Sequence, residues 1–227
     1  MSEKNSIIDK DDTPLPFWFI SIVPVMIVVV FGLFLFPASK WAWDWLEAWL
    51  LIGVMAVITF VGYAIINQKN PRVIRNRAKI KKIGLTKDTK KSAESDWYIM
   101  PLMTIGFLGA FLFPPLEKRF NWYPSLFPLP LWAELIGLVV MATGFIFLMI
   151  AQVQNAFASK LLDINKAQKL IDTGLYAKVR HPLYSGAIFW ALGSPIALGS
   201  VIGLAGSFLV ILALIIRIKP EEEMLIQ

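Results

Sequence analysis

The chain has 227 residues, 57% of them apolar and only 17% charged, with a formal net charge of +6. That balance belongs to a protein that crosses a membrane several times and excludes an ordinary soluble domain. There is no cysteine and a single histidine, which excludes disulfides, thiolate catalysis and zinc–thiolate sites and leaves no ligand set for a histidine-based metal centre.

Residues 1–16 are polar and close on Pro14 and Pro16. They lack the cationic start and small-residue cleavage site of a signal peptide and read as a short tail. Phe17 to Phe36 is an uncharged run of about 20 residues, enough to cross a bilayer, and Pro37 is expected to end it. Trp41, Trp43, Trp45 and Trp49 follow in a short turn, the composition of an interfacial belt. Trp45 to Ile66 is the second predicted span. Residues 67–96 form the longest polar stretch, with ten Lys and Arg against three acids. From Pro71 to Ile83 the basic residues alternate with Val73, Ile74, Ile80 and Ile83, the pattern of a basic helix lying on an anionic leaflet. No aromatic side chain interrupts this patch, which speaks against nucleic acid as a partner.

Trp97 to Phe113 is a third span, which Pro114 and Pro115 are expected to break. Leu131 to Gln152 is a fourth. Pro182 to Gly199 and Val201 to Ile216 are two shorter apolar runs parted by Gly199 and Ser200, predicting a tight helical hairpin with a kink at Pro195. Arg217 to Gln227 reads as a charged tail. The predicted fold is an all-α integral membrane protein with about six transmembrane helices, the last two a hairpin. No strand–Gly-x-Gly-x-x-Gly–helix pattern occurs, so no Rossmann domain is expected. Residues 1–227 make one polytopic domain: two spans in 1–66, the basic loop 67–96, and a C-terminal core in 97–227.

An even number of spans puts both termini on one side. That side carries nineteen Lys and Arg, and the other carries only Lys40, Lys118 and Arg119. The excess marks the basic side, with both termini, as cytoplasmic. The only charges inside the apolar runs are Glu47 and Glu134, both near outer ends. A proton or ion path would need ionisable groups at mid-depth, and no inverted repeat is visible.

One stretch concentrates chemistry: Gly174-Leu-Tyr176-Ala-Lys-Val-Arg180-His181-Pro182-Leu-Tyr184-Ser-Gly186. Pro182 suits the first position of a helix, and His181 before it is pushed to an extended conformation. A helix starting there offers free N–H groups and partial positive charge to a carboxylate or phosphate. Gly186, a turn later, is expected to let a ligand approach the backbone. At the other end of the predicted hairpin, Arg217 and Glu221 are four apart and share a face on a continuous helix, although Pro220 is expected to kink or restart it. The hairpin returns Arg217, Glu221 and Glu222 to the face of Arg180 and His181.

These paired motifs, Gly174-x-Tyr176-x-x-x-Arg180-His181-Pro182-x-Tyr184-x-Gly186 and Arg217-x-x-x-Glu221-Glu222, resemble the isoprenylcysteine carboxyl methyltransferase family and the related phospholipid N-methyltransferases. Asn70-Pro71 with Arg77, Arg119-Phe120-x-Trp122 and Asn155-x-Phe157-Ala158-Ser159 resemble its prokaryotic branch, which implies a prokaryotic plasma membrane. The resemblance covers roughly residues 67–227. It implies an S-adenosylmethionine site facing the cytoplasm, with a tunnel open to the bilayer for a lipophilic acceptor. Tyr176, Arg180, His181, Pro182, Tyr184, Gly186, Glu221 and Glu222 would surround the cofactor, Arg217 would face the acceptor, and His181 is the one histidine able to act as a base. Two departures stand out: Gln168 occupies the place of a histidine in eukaryotic members, and the family's tyrosine-containing continuation past the glutamate pair has no counterpart before Gln227. An Arg-His-Pro-x-Tyr element also occurs in NADPH-dependent membrane reductases, the alternative activity. A non-enzymatic lipid-binding protein is the alternative of another class.

Overall fold

The computed structural model describes residues 13–69, 71, 74, 87–122, 129–154 and 173–225, with the backbone alone for 87–96, 224 and 225. Six helices and no strand occur among them: α1 (Phe17–Ala38), α2 (Leu46–Lys69), α3 (Lys87–Phe120), α4 (Leu131–Gln154), α5 (Pro182–Ala197) and α6 (Gly203–Leu225). Five are long and apolar enough to cross a membrane: α1, α2, α4, the Trp97–Phe120 part of α3, and the Gly203–Glu223 part of α6. The protein is an all-α, multi-pass membrane protein. The basic loop of 67–96 lies largely outside the described residues, as do Arg77, Asn155 and Gln168.

The apolar runs form helices because a bilayer leaves no other way to pair the backbone. Their sides carry exposed Val, Leu, Ile and Phe, such as Val25, Val57, Ile105, Val139 and Phe208, as a lipid-facing surface requires. Between α1 and α2 the chain turns through left-handed Lys40 (φ 62°) and Trp41 (φ 61°). Trp43 stacks on Phe36 at 4.8 Å and on Trp41 at 5.5 Å, while the Trp49 indole N–H donates to the Trp43 carbonyl over 3.0 Å. At the other end of this pair Asn67 exchanges two hydrogen bonds with the Leu15 backbone, at 2.7 and 2.9 Å.

Three prolines behave differently from the local expectation. Pro114 and Pro115 do not break α3, which runs on to Phe120. A proline's own φ is helical, its cost being the lost hydrogen bond and a clash, and tertiary contact holds the extra turn. Glu117 is buried there, its carboxylate against the Ser200 side chain and the Ile202 backbone. Pro220 likewise lies inside α6, so Arg217 to Leu225 is helix and not a loose tail. Pro195 sits in the last turn of α5 and deprives the Ala191 carbonyl of its partner. The buried Ser207 hydroxyl of α6 donates to that carbonyl over 2.6 Å.

The turn between α5 and α6 is tight, with Gly199 at φ 74°, yet each helix finds its broadest contact elsewhere. α5 packs along α4 and α6 along α3. Glycines let these backbones touch. A side chain on Gly137 would stand 2.6 Å from the Ala197 nitrogen, and one on Gly106 would stand 2.8 Å from the Val210 nitrogen. The two close-packed pairs fix where α5 begins and α6 ends.

Candidate active site

Antiparallel α5 and α6 bring the start of one beside the end of the other. Side chains lean toward the N-terminus of their own helix. Those at the start of α5 therefore lean out of the bundle, and those at the end of α6 lean back into it. The two sets meet. The Tyr184 hydroxyl donates to Glu221 Oε2, and His181 Nε2 lies 3.2 Å from Glu222 Oε1. The His181 and Tyr184 rings stack at 5.3 Å, 10° from parallel. Each aromatic group thus meets one member of the glutamate pair.

Pro182 occupies the first turn of α5, as expected, and His181 is its cap residue at φ −123°, ψ 69°. The His181 carbonyl accepts from the Ser185 backbone N–H at 3.0 Å and from its hydroxyl at 3.2 Å. That spends the backbone of His181 on starting the helix and leaves its ring to face Glu222. The carboxylates are partly exposed, with the Glu222 side chain 42% accessible against 19% for His181. They form an open anionic edge beside a helix N-terminus, where negative charge is favoured.

Tyr176 and Arg180 lie just before α5. The Leu175 carbonyl accepts from the N–H groups of Lys178 (3.1 Å) and Val179 (2.9 Å), so 175–179 makes one turn that carries Tyr176, with Arg180 just past it. Arg180 is exposed and Tyr176 half-buried. Arg217 is half-buried, one turn before Glu221 on the unbroken α6.

Gly186 lies in a helix contact. The place of its missing side chain is filled by the Gly144 carbonyl oxygen at 2.9 Å and by Leu148. It brings α4 and α5 into close contact. A residue that the motifs did not indicate is Gln154, the last of α4: its Oε1 accepts from the Leu175 N–H at 2.9 Å. An amide at the end of an apolar run was its only signal. Among the described residues no group of three or more His, Asp or Glu is placed to hold a metal.

Neither the curated proteins nor the solved structures compared with the chain match it. Residues 135–227 do match the model of the isoprenylcysteine carboxyl methyltransferase (ICMT) family. The match begins in the first turn of α4 and takes in α5, α6 and the turn before α5, so it contains every side chain of the cluster. The C-terminal segment of this membrane protein, residues 135–227, is therefore similar to the isoprenylcysteine carboxyl methyltransferase family.

Proposed function

We propose that the protein is a membrane methyltransferase that uses S-adenosylmethionine and methylates a lipophilic acceptor, with the polar cluster and both termini on the cytoplasmic side. The family match supports the methyltransferase class, and the basic loops support the orientation. The observation that carries the site is the double contact of His181 with Glu222 and of Tyr184 with Glu221. It joins the two halves of the paired motif in one place.

The donor set fits the cofactor. Two carboxylates on adjacent residues suit an ammonium and a ribose diol. The N-terminus of α5 with Arg180 suits a carboxylate. The faces of Tyr176 and Tyr184 suit a sulfonium. When bound, S-adenosylmethionine supplies an activated methyl group with a good leaving group. The chain's part is mostly to hold two reactants in line. Glu221 and Glu222 bind and orient, and Arg217 holds an anionic acceptor. A carboxylate or thiolate acceptor needs no base. For a protonated amine, His181 Nδ1 would take the proton, with Glu222 on Nε2 stabilising the resulting imidazolium.

The test is calorimetric titration of S-adenosylhomocysteine into detergent-purified protein. Binding by the wild type, lost in Glu222→Gln and weakened in Arg180→Ala, is the expected result. No binding by folded wild type would overturn the cofactor. Unchanged binding in both variants would overturn the site.

A further inference from the structure

We infer that Gln154 is a positioning residue for this site: its side-chain amide caps the turn that carries Tyr176 and leads into Arg180, and fixes that turn beside the start of α5. The inference rests on the cofactor reading above.

A single helical turn is a poor structure by itself. It fixes several dihedrals for little hydrogen bonding, and its first N–H groups have no partner within it. The 175–179 turn meets this problem in a particular way. Leu175 gives its carbonyl to the turn and its N–H to Gln154. The side chain of Gln154 does what a capping Ser or Asp normally does from within the chain, but it arrives from the end of a different helix.

Gly174 makes room for it. Its φ is 64°, a conformation that side chains disfavour, and the amide of Gln154 stands where its side chain would be. Gln154 and Gly174 thus form a fitted pair. The support is also firm: α4 is held to α5 through Gly137, Gly144, Gly186 and Gly193, with backbone against backbone. A cap fixed to the end of α4 is therefore fixed relative to Pro182. The turn is held at both ends, by Gln154 at its start and by His181 at the entry to α5. The segment that carries Tyr176 and leads through Arg180 into α5 is then tethered at two points and does not swing on one.

Gln154→Leu keeps the size and removes the acceptor, whereas Gln154→Glu keeps an acceptor oxygen. With titration of S-adenosylhomocysteine as the readout, Gln154→Leu should weaken binding roughly fivefold, about the worth of one hydrogen bond, and Gln154→Glu should restore most of it. Gly174→Ala, which displaces the amide, should weaken binding to a similar degree. In a Tyr176→Ala background the Gln154→Leu effect should shrink, because the residue acts through that turn; a general loss of packing would add in full. The inference is overturned if Gln154→Leu binds as the wild type does, if Gln154→Glu is as weak as Gln154→Leu, or if the two losses simply add. Failure of wild-type binding would instead remove the cofactor reading on which it rests.

Discussion

Gly32 of α1 and Gly53 of α2 have open space where a side chain would stand. Gly106, Gly137, Gly144, Gly186 and Gly206 of the other four helices have a neighbouring backbone there. The first pair is joined by large side chains, with Leu35, Phe36, Trp45, Leu51, Ile52 and Met55 buried. The two later pairs, α4 with α5 and α3 with α6, are joined through small residues. Side chains can repack after a small slide; touching backbones cannot. The helices that bear the candidate site are therefore the ones locked in register. The family match begins in α4, outside the first pair.

The strongest way to break this comparison is to give Gly144 a side chain. Gly144→Val should cost about 3 kcal/mol or more through overpacking against Phe189, Trp190 and the Gly186 carbonyl, seen as a large fall in the thermal midpoint in detergent. A midpoint like the wild type's would show that the pair slides after all. Next is Ser207→Ala, which leaves the Ala191 carbonyl unpaired within the bundle. It should cost roughly 1–3 kcal/mol by the same measurement, and Ser207→Thr should recover part of that. Tyr184→Phe keeps the stack on His181 and removes the hydroxyl donated to Glu221. Binding of S-adenosylhomocysteine should fall several-fold, on the scale of roughly 1 kcal/mol, with little change in the midpoint; equal binding would exclude a role for that contact. The smallest effect belongs to the first pair. Gly53→Ala should be neutral or stabilise by up to about 1 kcal/mol, from helix propensity alone, and leave binding unchanged. A loss comparable to that of Gly144→Val would erase the distinction between the halves.

Most spans were legible because a bilayer imposes length and polarity on each one separately. Phe17 to Phe36, Trp45 to Ile66 and Leu131 to Gln152 are read from local composition; each helix runs two or three residues further at its C-terminal end, and α2 begins one residue later than expected. The prolines were misread for the opposite reason. Whether Pro114, Pro115 or Pro220 ends a helix depends on what lies against the next turn, and for α3 that is Glu117 on the 200–202 turn. Of the site, the convergence of His181 and Tyr184 with Glu221 and Glu222 was legible, since a hairpin must bring its ends together. The pairing within it was not, as it follows from the lean of side chains on two antiparallel helices. The contact of Gly186 with Gly144 was not legible, because Gly144 lies on a helix that sequence distance separates from it. Gln154 was missed on the same ground: its contact with Leu175 crosses a segment that no local pattern bridges.

The length of α5 has a consequence for the depth at which chemistry takes place. Its 16 residues rise about 24 Å, several ångströms short of a hydrocarbon layer roughly 30 Å thick. With the 198–202 turn level with one set of headgroups, His181 and Pro182 stay below the opposite set, among the acyl chains' outer carbons. Under the proposed function, a lipophilic acceptor would then reach them by lateral diffusion without being lifted into water. Thickening the bilayer would sink the polar cluster further and thinning it would raise the cluster toward solvent, so the lipid itself would set the depth of the cluster.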